Sequence, residues 1–240
     1  MQGHLEKPAG GIGLATNKKK VVSVVVEGPS DENALGILLS EFFSSDSIKF
    51  VIIHGDITTQ RDVTENNIIS KIDEFVREMM EKYQYRDSDI KQIIHIVDTD
   101  GAFIPNDAVK ESEIELRYDI DHIDTDHVGA IIARNKKKAD LLFKLHRTGR
   151  IRGIPYRVYY NSRNLEHALY GIVEDMTDEE KGDKADDFSD QYEGNLAGFI
   201  ELITSEEISV PGTYQQTWNY IEKDCHSLER HTNMRIIFGR

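Results

Sequence analysis

The sequence has almost no cysteine and no long apolar run. Its single cysteine, Cys225, excludes an intramolecular disulfide framework and a cysteine-rich zinc site. No apolar run approaches the roughly 18 residues that span a bilayer. The N-terminus lacks the basic-then-apolar order of a signal peptide. We therefore expect a soluble, cytoplasmic protein with no membrane partner.

Positive charge is also scarce. The 240 residues include 29 Lys and Arg against 43 Asp and Glu, which gives a formal net charge of −14. This balance does not indicate a basic surface that wraps nucleic acid, nor adhesion to anionic membranes. Hydrophobic residues make up 39% of the chain, which is enough for a core and excludes global disorder.

Strand-like and helix-like segments alternate over residues 21–172. The β-branched run 21–26 predicts a strand buried on both faces, and a helical apolar stripe follows it. Further strands are predicted at 48–53, 92–97 and 156–160. The alternation predicts an α/β fold, a Rossmann-like core whose mainly parallel sheet is flanked by helices.

The remaining segments are less regular. Residues 1–20 are predicted to form a flexible leader, and the acidic segment 107–127 to form helix and loop. Residues 173–240 are predicted to form a mostly helical extension packed on the same domain. Within it, 175–190 indicates a linker or exposed loop because its hydrophobicity is low, and 235–238 indicates a short strand.

Acidic residues stand at the ends of two predicted strands. Glu27 ends the first strand, and Asp98 and Asp100 follow the third. Ligands of open parallel sheets bind at the carboxyl ends of the strands. Carboxylates that converge there repel one another, so they favour a compensating cation, and an all-oxygen ligand set suits Mg²⁺ or Mn²⁺. Turn chemistry for the Asp-x-Asp pair and helix capping for Glu27 are the ordinary alternatives; the two motifs together favour a metal site.

These two motifs resemble those of the TOPRIM family. Residues 24–31 (VVVEGPSD) are similar to its first motif and residues 94–100 (IHIVDTD) to its second. The form of the first motif is closest to the OLD-type nucleases (overcoming lysogenization defect) and related phage-defence proteins. The resemblance covers about residues 21–170 and implies a TOPRIM-like domain over 21–172.

The resemblance also implies an activity and a set of site residues. It implies a Mg²⁺- or Mn²⁺-dependent nuclease acting on DNA or RNA, in phage defence or a mobile element. Glu27 would bind metal or act as general base, and Asp98 and Asp100 would bind metal. Asp31 and Glu166 match further acidic positions of the pattern. Asp56 is a weaker candidate of the same kind.

The same resemblance bears on partners. The family's OLD-type members pair the TOPRIM domain with an ATPase, but the P-loop pattern G-x-x-x-x-G-K-[ST] does not occur in this sequence. An ATPase that regulates the protein would therefore be a separate chain. Whether the protein forms a homo-oligomer is left open.

One stretch of the chain is strongly basic. Nucleases need cations for the scissile phosphate and for the substrate backbone. The candidates for nucleic-acid binding are Arg134, Lys136, Lys137, Lys138, Lys144 and Arg147. They could line one wall of the crevice, and the alternative is a solvated helix face.

Three other interpretations stay open. A haloacid-dehalogenase-type phosphatase also uses strand-Asp-x-Asp-Gly, but that motif normally opens the fold, and Glu27 would have no role in it. A second metal at His122 and His127 competes with a solvated acidic loop. A non-catalytic interaction or inhibitor module is favoured if Glu27, Asp98 and Asp100 prove to lie far apart or to be salt-bridged to arginines.

Overall fold

A mixed, mostly parallel sheet flanked by helices forms the centre of the computed structural model, which describes residues 19–239. The predicted α/β class with a mainly parallel sheet is confirmed. The predicted leader, 1–20, lies outside the described residues except for its last two positions. Within residues 19–239, no helix combines the length and the apolar composition needed to cross a bilayer.

The strands are β1 (Val21–Val26), β2 (Ser47–Ile52), β3 (Ile90–Asp98), β4 (Val109–Glu111), β5 (Arg117–Tyr118), β6 (Ile123–Thr125), β7 (Arg150–Ile151), β8 (Ile154–Ser162) and β9 (His231–Thr232). The helices are α1 (Pro29–Phe42), α2 (Ile68–Tyr83), α3 (Val128–His146), α4 (Asp178–Tyr192), α5 (Leu196–Thr204) and α6 (Tyr214–Ile221).

The main sheet has the order β2-β1-β3-β8, and these four strands are parallel. Short strands β7 and β9 pair with β8 in the antiparallel sense. Because parallel neighbours need crossover connections, helices occupy both faces of the sheet. The carboxyl ends of β1, β3 and β8 therefore lie side by side at one edge, and Asp98 pairs with Asn161 across β3 and β8.

Each face of the sheet has its own hydrophobic layer. Apolar residues of α2, α3 and α6 pack on one face, and those of α1, α4 and α5 pack on the other. Strand β1 contributes alternate valines to the two layers and is buried along its whole length. Helices α4 and α5 thus share a core with β1 and α1, and α6 shares the other layer with β1.

The expected linker at 175–190 was wrong, because most of this segment is helix α4. Thr177 caps the helix and accepts a hydrogen bond from the Glu180 amide. Ala185, Phe188 and Tyr192 recur at helical spacing and are buried. This narrow apolar stripe is enough to dock the helix although most of its surface is charged.

Two other local predictions were wrong. Residues 107–127 contain a second, three-stranded sheet of order β4-β6-β5 instead of the predicted helix and loop, and Ile123 anchors it in a small core of its own. The end of the described chain, Met234–Phe238, is a 3₁₀ helix, whereas the terminal strand is β9. Strands of two or three residues are too short to show a period of two in the sequence.

Candidate functional site

Glu27 and Asp98 lie next to each other at the carboxyl edge of the sheet. The Asp98 backbone amide donates to Glu27 Oε1 at 3.5 Å, because β1 and β3 are adjacent. Behind them the chain turns through Asp100 and Gly101, which have φ of +46° and +71°. A Cβ on Gly101 would lie 2.7 Å from Leu228 Cδ2, so this turn requires glycine.

A cavity of 600 Å³ opens at this edge and brings together four of the predicted carboxylates. Glu27 and Asp98 come from the strand ends, Asp31 comes from the first turn of α1, and Glu166 comes from the helical turn after β8. We call Glu27, Asp31, Asp98 and Glu166 the cavity group. The cavity is also lined by Gly28, Pro29, Ser30, Asn33, His54, Gly55, Asp178, Lys181 and Gly182.

Burial and mutual repulsion disfavour the charged forms of these acids. Burial raises the pKa of Glu27 and the pKa of Asp98 well above the usual range. Lys138 offsets part of the shift for Glu27, and neighbouring carboxylates raise the pKa of both acids further. The pKa of Asp31 rises to about 6, mainly through burial, although the Gly28 amide stabilises its charged form. The cavity group is therefore short of positive charge.

Lys181 supplies part of that charge and was missed from the sequence. Its Nζ lies 3.3 Å from Glu166 Oε1. Burial alone would lower the pKa of Lys181, but Glu166, Asp98 and Asp31 outweigh it and raise that pKa. The apolar stripe of α4 was the available signal, since it places Lys181 on a docked helix instead of a linker.

Asp100 does not line this cavity and lies in a second group of charges. Lys138 from α3 is 1% exposed, and its Nζ lies 2.8 Å from Asp56 Oδ2 and also contacts Asp100 Oδ2. We call Asp56, Asp100 and Lys138 the lysine group. Burial opposes the charge on Lys138, but Asp100, Asp56 and Glu27 outweigh it and raise its pKa. Burial would also raise the pKa of Asp56, yet Lys138 and Thr58 hold it below its usual value.

The predicted basic stretch does not form one surface. Lys138 is buried in the lysine group instead of facing a nucleic acid, and Arg134 donates to the Asp100 carbonyl at 3.1 Å. Lys144 and Arg147 are exposed near the far end of α3. Lys144 is ten residues from Arg134, which is about 15 Å along a helix axis.

A basic groove borders the lysine group. A cavity of 510 Å³ is lined by Arg61, Arg134 and Lys137 together with Thr58 and Thr59, and no acidic side chain is among its described lining residues. Lys136 lines the adjoining groove with Arg61 and Lys137. Thr58 also donates to Asp56, so the groove directly adjoins the carboxylates. Arg61, from the loop after β2, was not among the sequence candidates.

Comparisons with protein-family models, curated proteins and solved structures found no match to this chain. The TOPRIM resemblance therefore stays a hypothesis. It rests on two short motifs and on their order along the chain.

The donor set of the cavity group fits a hard divalent cation, since it consists of carboxylate oxygens partly shielded from solvent. In the part of the chain that the structure describes, three acidic or histidine ligand atoms lie within 4.8 Å of one another only at Asp119, Asp121 and His122. This exposed group could hold a metal ion, and its geometry does not identify which. The cavity carboxylates are spread more widely, which suits an ion that keeps several of its waters, as Mg²⁺ does.

Proposed function

We propose that this protein is a Mg²⁺- or Mn²⁺-dependent phosphodiesterase of TOPRIM type that cleaves DNA or RNA. The observation that carries the proposal is the convergence of the cavity group at the carboxyl ends of β1, β3 and β8. Convergent carboxylates at this edge of a parallel sheet favour a divalent cation and a phosphorylated substrate.

The cavity group would hold the ion, and a bound divalent ion lowers the pKa of water and offsets charge on the phosphate. Glu27 has a pKa raised by burial and lies beside Asp98, so it suits a proton-transfer role. Lys181 faces the same cavity and is placed to attract a phosphate oxygen. Asp31 also caps α1, which fixes its carboxylate relative to Glu27.

The basic groove gives the nucleic acid a path beside the site. Arg61, Arg134 and Lys137 can contact backbone phosphates, whereas the net charge of −14 opposes wrapping of a long duplex. A short or single-stranded substrate is therefore favoured. On the TOPRIM hypothesis the protein acts in the cytoplasm in phage defence or a mobile element, with any ATPase on a separate chain.

The test compares wild type with Asp98→Asn on single-stranded and duplex DNA and RNA, each with Mg²⁺, with Mn²⁺ and with EDTA. Asp98→Asn keeps the shape but removes a ligand charge, so cleavage should be lost. Its melting temperature should rise, because one repelling charge leaves the cavity. Asp187→Asn is the control, since its side chain is 78% exposed on α4. Equal cleavage by wild type and Asp98→Asn would indicate a contaminating nuclease.

A non-catalytic interaction module is the second candidate. The observation that favours it is that Asp100 and Glu166 are each paired with a lysine, Lys138 and Lys181. A lysine-neutralised cluster needs no metal to be stable. Absence of cleavage on every substrate, together with absence of bound Mn²⁺, would favour this alternative.

A further inference from the structure

Lys138 is a buried cation surrounded by carboxylates. Its ammonium contacts Asp56 and Asp100, and the charge of Glu27 acts on it as well. With 1% of its side chain exposed, the ammonium has lost most of its hydration. Such a burial is tolerated only when partners replace the water, and here two carboxylates do so.

The acidic residues at this edge divide into two groups, which differ in the positive charges that offset them. The lysine group has a lysine bound between two aspartates, whereas the cavity group has Lys181 paired with Glu166 alone. Charges of both groups affect the pKa of Glu27. Lys138 lowers that pKa, and it is raised by Asp56, Asp100 and Asp31. Phosphodiesterases with two metals use carboxylates in this way to hold a pair of neighbouring cations.

We infer that Lys138 occupies the second cation position, so that the site binds one divalent ion in the cavity group and none between Asp56 and Asp100. This inference rests on the proposed function. A lysine ammonium is a compact point charge that can stand between two carboxylates. Lys138 is a positioning residue: it is too buried to touch a substrate, and it acts by holding Asp100 and by balancing the charge beside Glu27.

The experiment counts bound Mn²⁺ by equilibrium dialysis and electron paramagnetic resonance. All proteins carry Asp121→Ala, which removes the exposed group that could add an ion of its own. This background protein should bind one Mn²⁺. Adding Lys138→Ala should raise the count to two, because Asp56 and Asp100 are then left unpaired. Adding Asp100→Asn to Lys138→Ala should return it to one.

Lys136→Ala is the matched control, since Lys136 is exposed on the same helix and should leave the count at one. The Lys138→Ala variant should also be less stable than the background protein in EDTA. Mn²⁺ should raise its melting temperature more than it raises that of the background protein. A merely structural role for Lys138 would not create this metal-dependent recovery.

If Lys138→Ala does not fold, the Mn²⁺ binding of Asp100→Asn alone tests whether Lys138 occupies the second cation position. The inference requires that this variant keep its single ion, because Asp100 is not a ligand. A loss of affinity of about tenfold or more on Asp100→Asn would overturn it. Two ions in the background protein, or still one in a folded Lys138→Ala, would overturn it too. No ion in the background protein and one in Lys138→Ala would refute the proposed function while upholding the role of Lys138.

Discussion

Asp31 Oδ2 accepts a hydrogen bond from the Gly28 backbone amide at 2.9 Å, so one carboxylate both caps α1 and lines the cavity. The two roles act on Asp31 in opposite directions. The amide and the helix N-terminus stabilise its charged form, whereas burial and Glu166 destabilise it. Burial is the stronger effect, and it makes the folded state bind a proton more tightly than the unfolded chain does.

The first prediction concerns the pH dependence of stability. The folded pKa of Asp31 is about 6 against a reference value of 3.8, so its contribution to stability should be lost as pH rises from about 4 through 6. An asparagine Oδ1 can accept the same hydrogen bond from the Gly28 amide, so Asp31→Asn removes mainly the charge. The variant should equal wild type near pH 4 and exceed it by about 1–3 kcal/mol at pH 7.

Urea unfolding in EDTA at pH 4.5 to 7.5 measures this difference. Glu32→Gln is the control, because it removes the same charge one residue along the helix and outside the cavity lining. A difference between Asp31→Asn and wild type that does not change with pH would contradict the prediction.

The second prediction concerns the basic groove. Arg61→Ala combined with Lys137→Ala should weaken nucleic-acid binding and lower the salt slope by about 1.8 for a duplex, about 0.9 for each lost phosphate contact. Binding titrations at several salt concentrations measure the slope. Lys144→Ala combined with Arg147→Ala removes the same charge at the far end of α3 and should leave it unchanged. If the two double variants lower the salt slope equally, the net charge of the protein, and not the groove, governs nucleic-acid binding.

The third prediction concerns the C-terminal helices. Phe188 is buried, and its ring centroid lies 4.9 Å from that of Tyr192 and 5.0 Å from that of Tyr170. Phe188→Ala should cost about 3–5 kcal/mol of unfolding free energy. Asp187→Ala, at the exposed neighbouring position, should cost little. Two separate unfolding transitions, with only one of them shifted, would show that α4 does not share the core of the sheet.

The fourth prediction concerns the turn behind the Asp-x-Asp pair. Gly101→Ala must adopt a φ of +71° and push Leu228 aside, so it should cost about 1–3 kcal/mol and weaken Mn²⁺ binding. Gly149→Ala is the control, since a Cβ there meets nothing within 4 Å. Thermal melts and Mn²⁺ titrations measure both effects. If Gly101→Ala binds Mn²⁺ as wild type does, the turn does not position Asp98.

Much of the sheet could be predicted because its signals are local. A β-branched run such as Val21–Val26 predicts a strand buried on both faces, and residues just past such strands fall at one edge of a parallel sheet. The position of Glu27 and Asp98 at the same edge follows from this rule, whereas their direct contact depends on the pairing of β1 with β3. The docking of α4 was not predicted, because its apolar stripe is narrow and most of its residues are charged.

The sequence by itself determined the four long parallel strands, the α/β class and the presence of carboxylates at the strand ends, since each of these depends on residues close together in the chain. Only the tertiary structure decided which lysines offset the negative charge of those carboxylates. Lys138 meets Asp100 and Asp56 across 38 and 82 residues of chain, and Lys181 reaches Glu166 from a separate helix. Such pairings depend on how helices pack on the two faces of the sheet, and that packing follows from the shape and burial of the whole core instead of any local pattern.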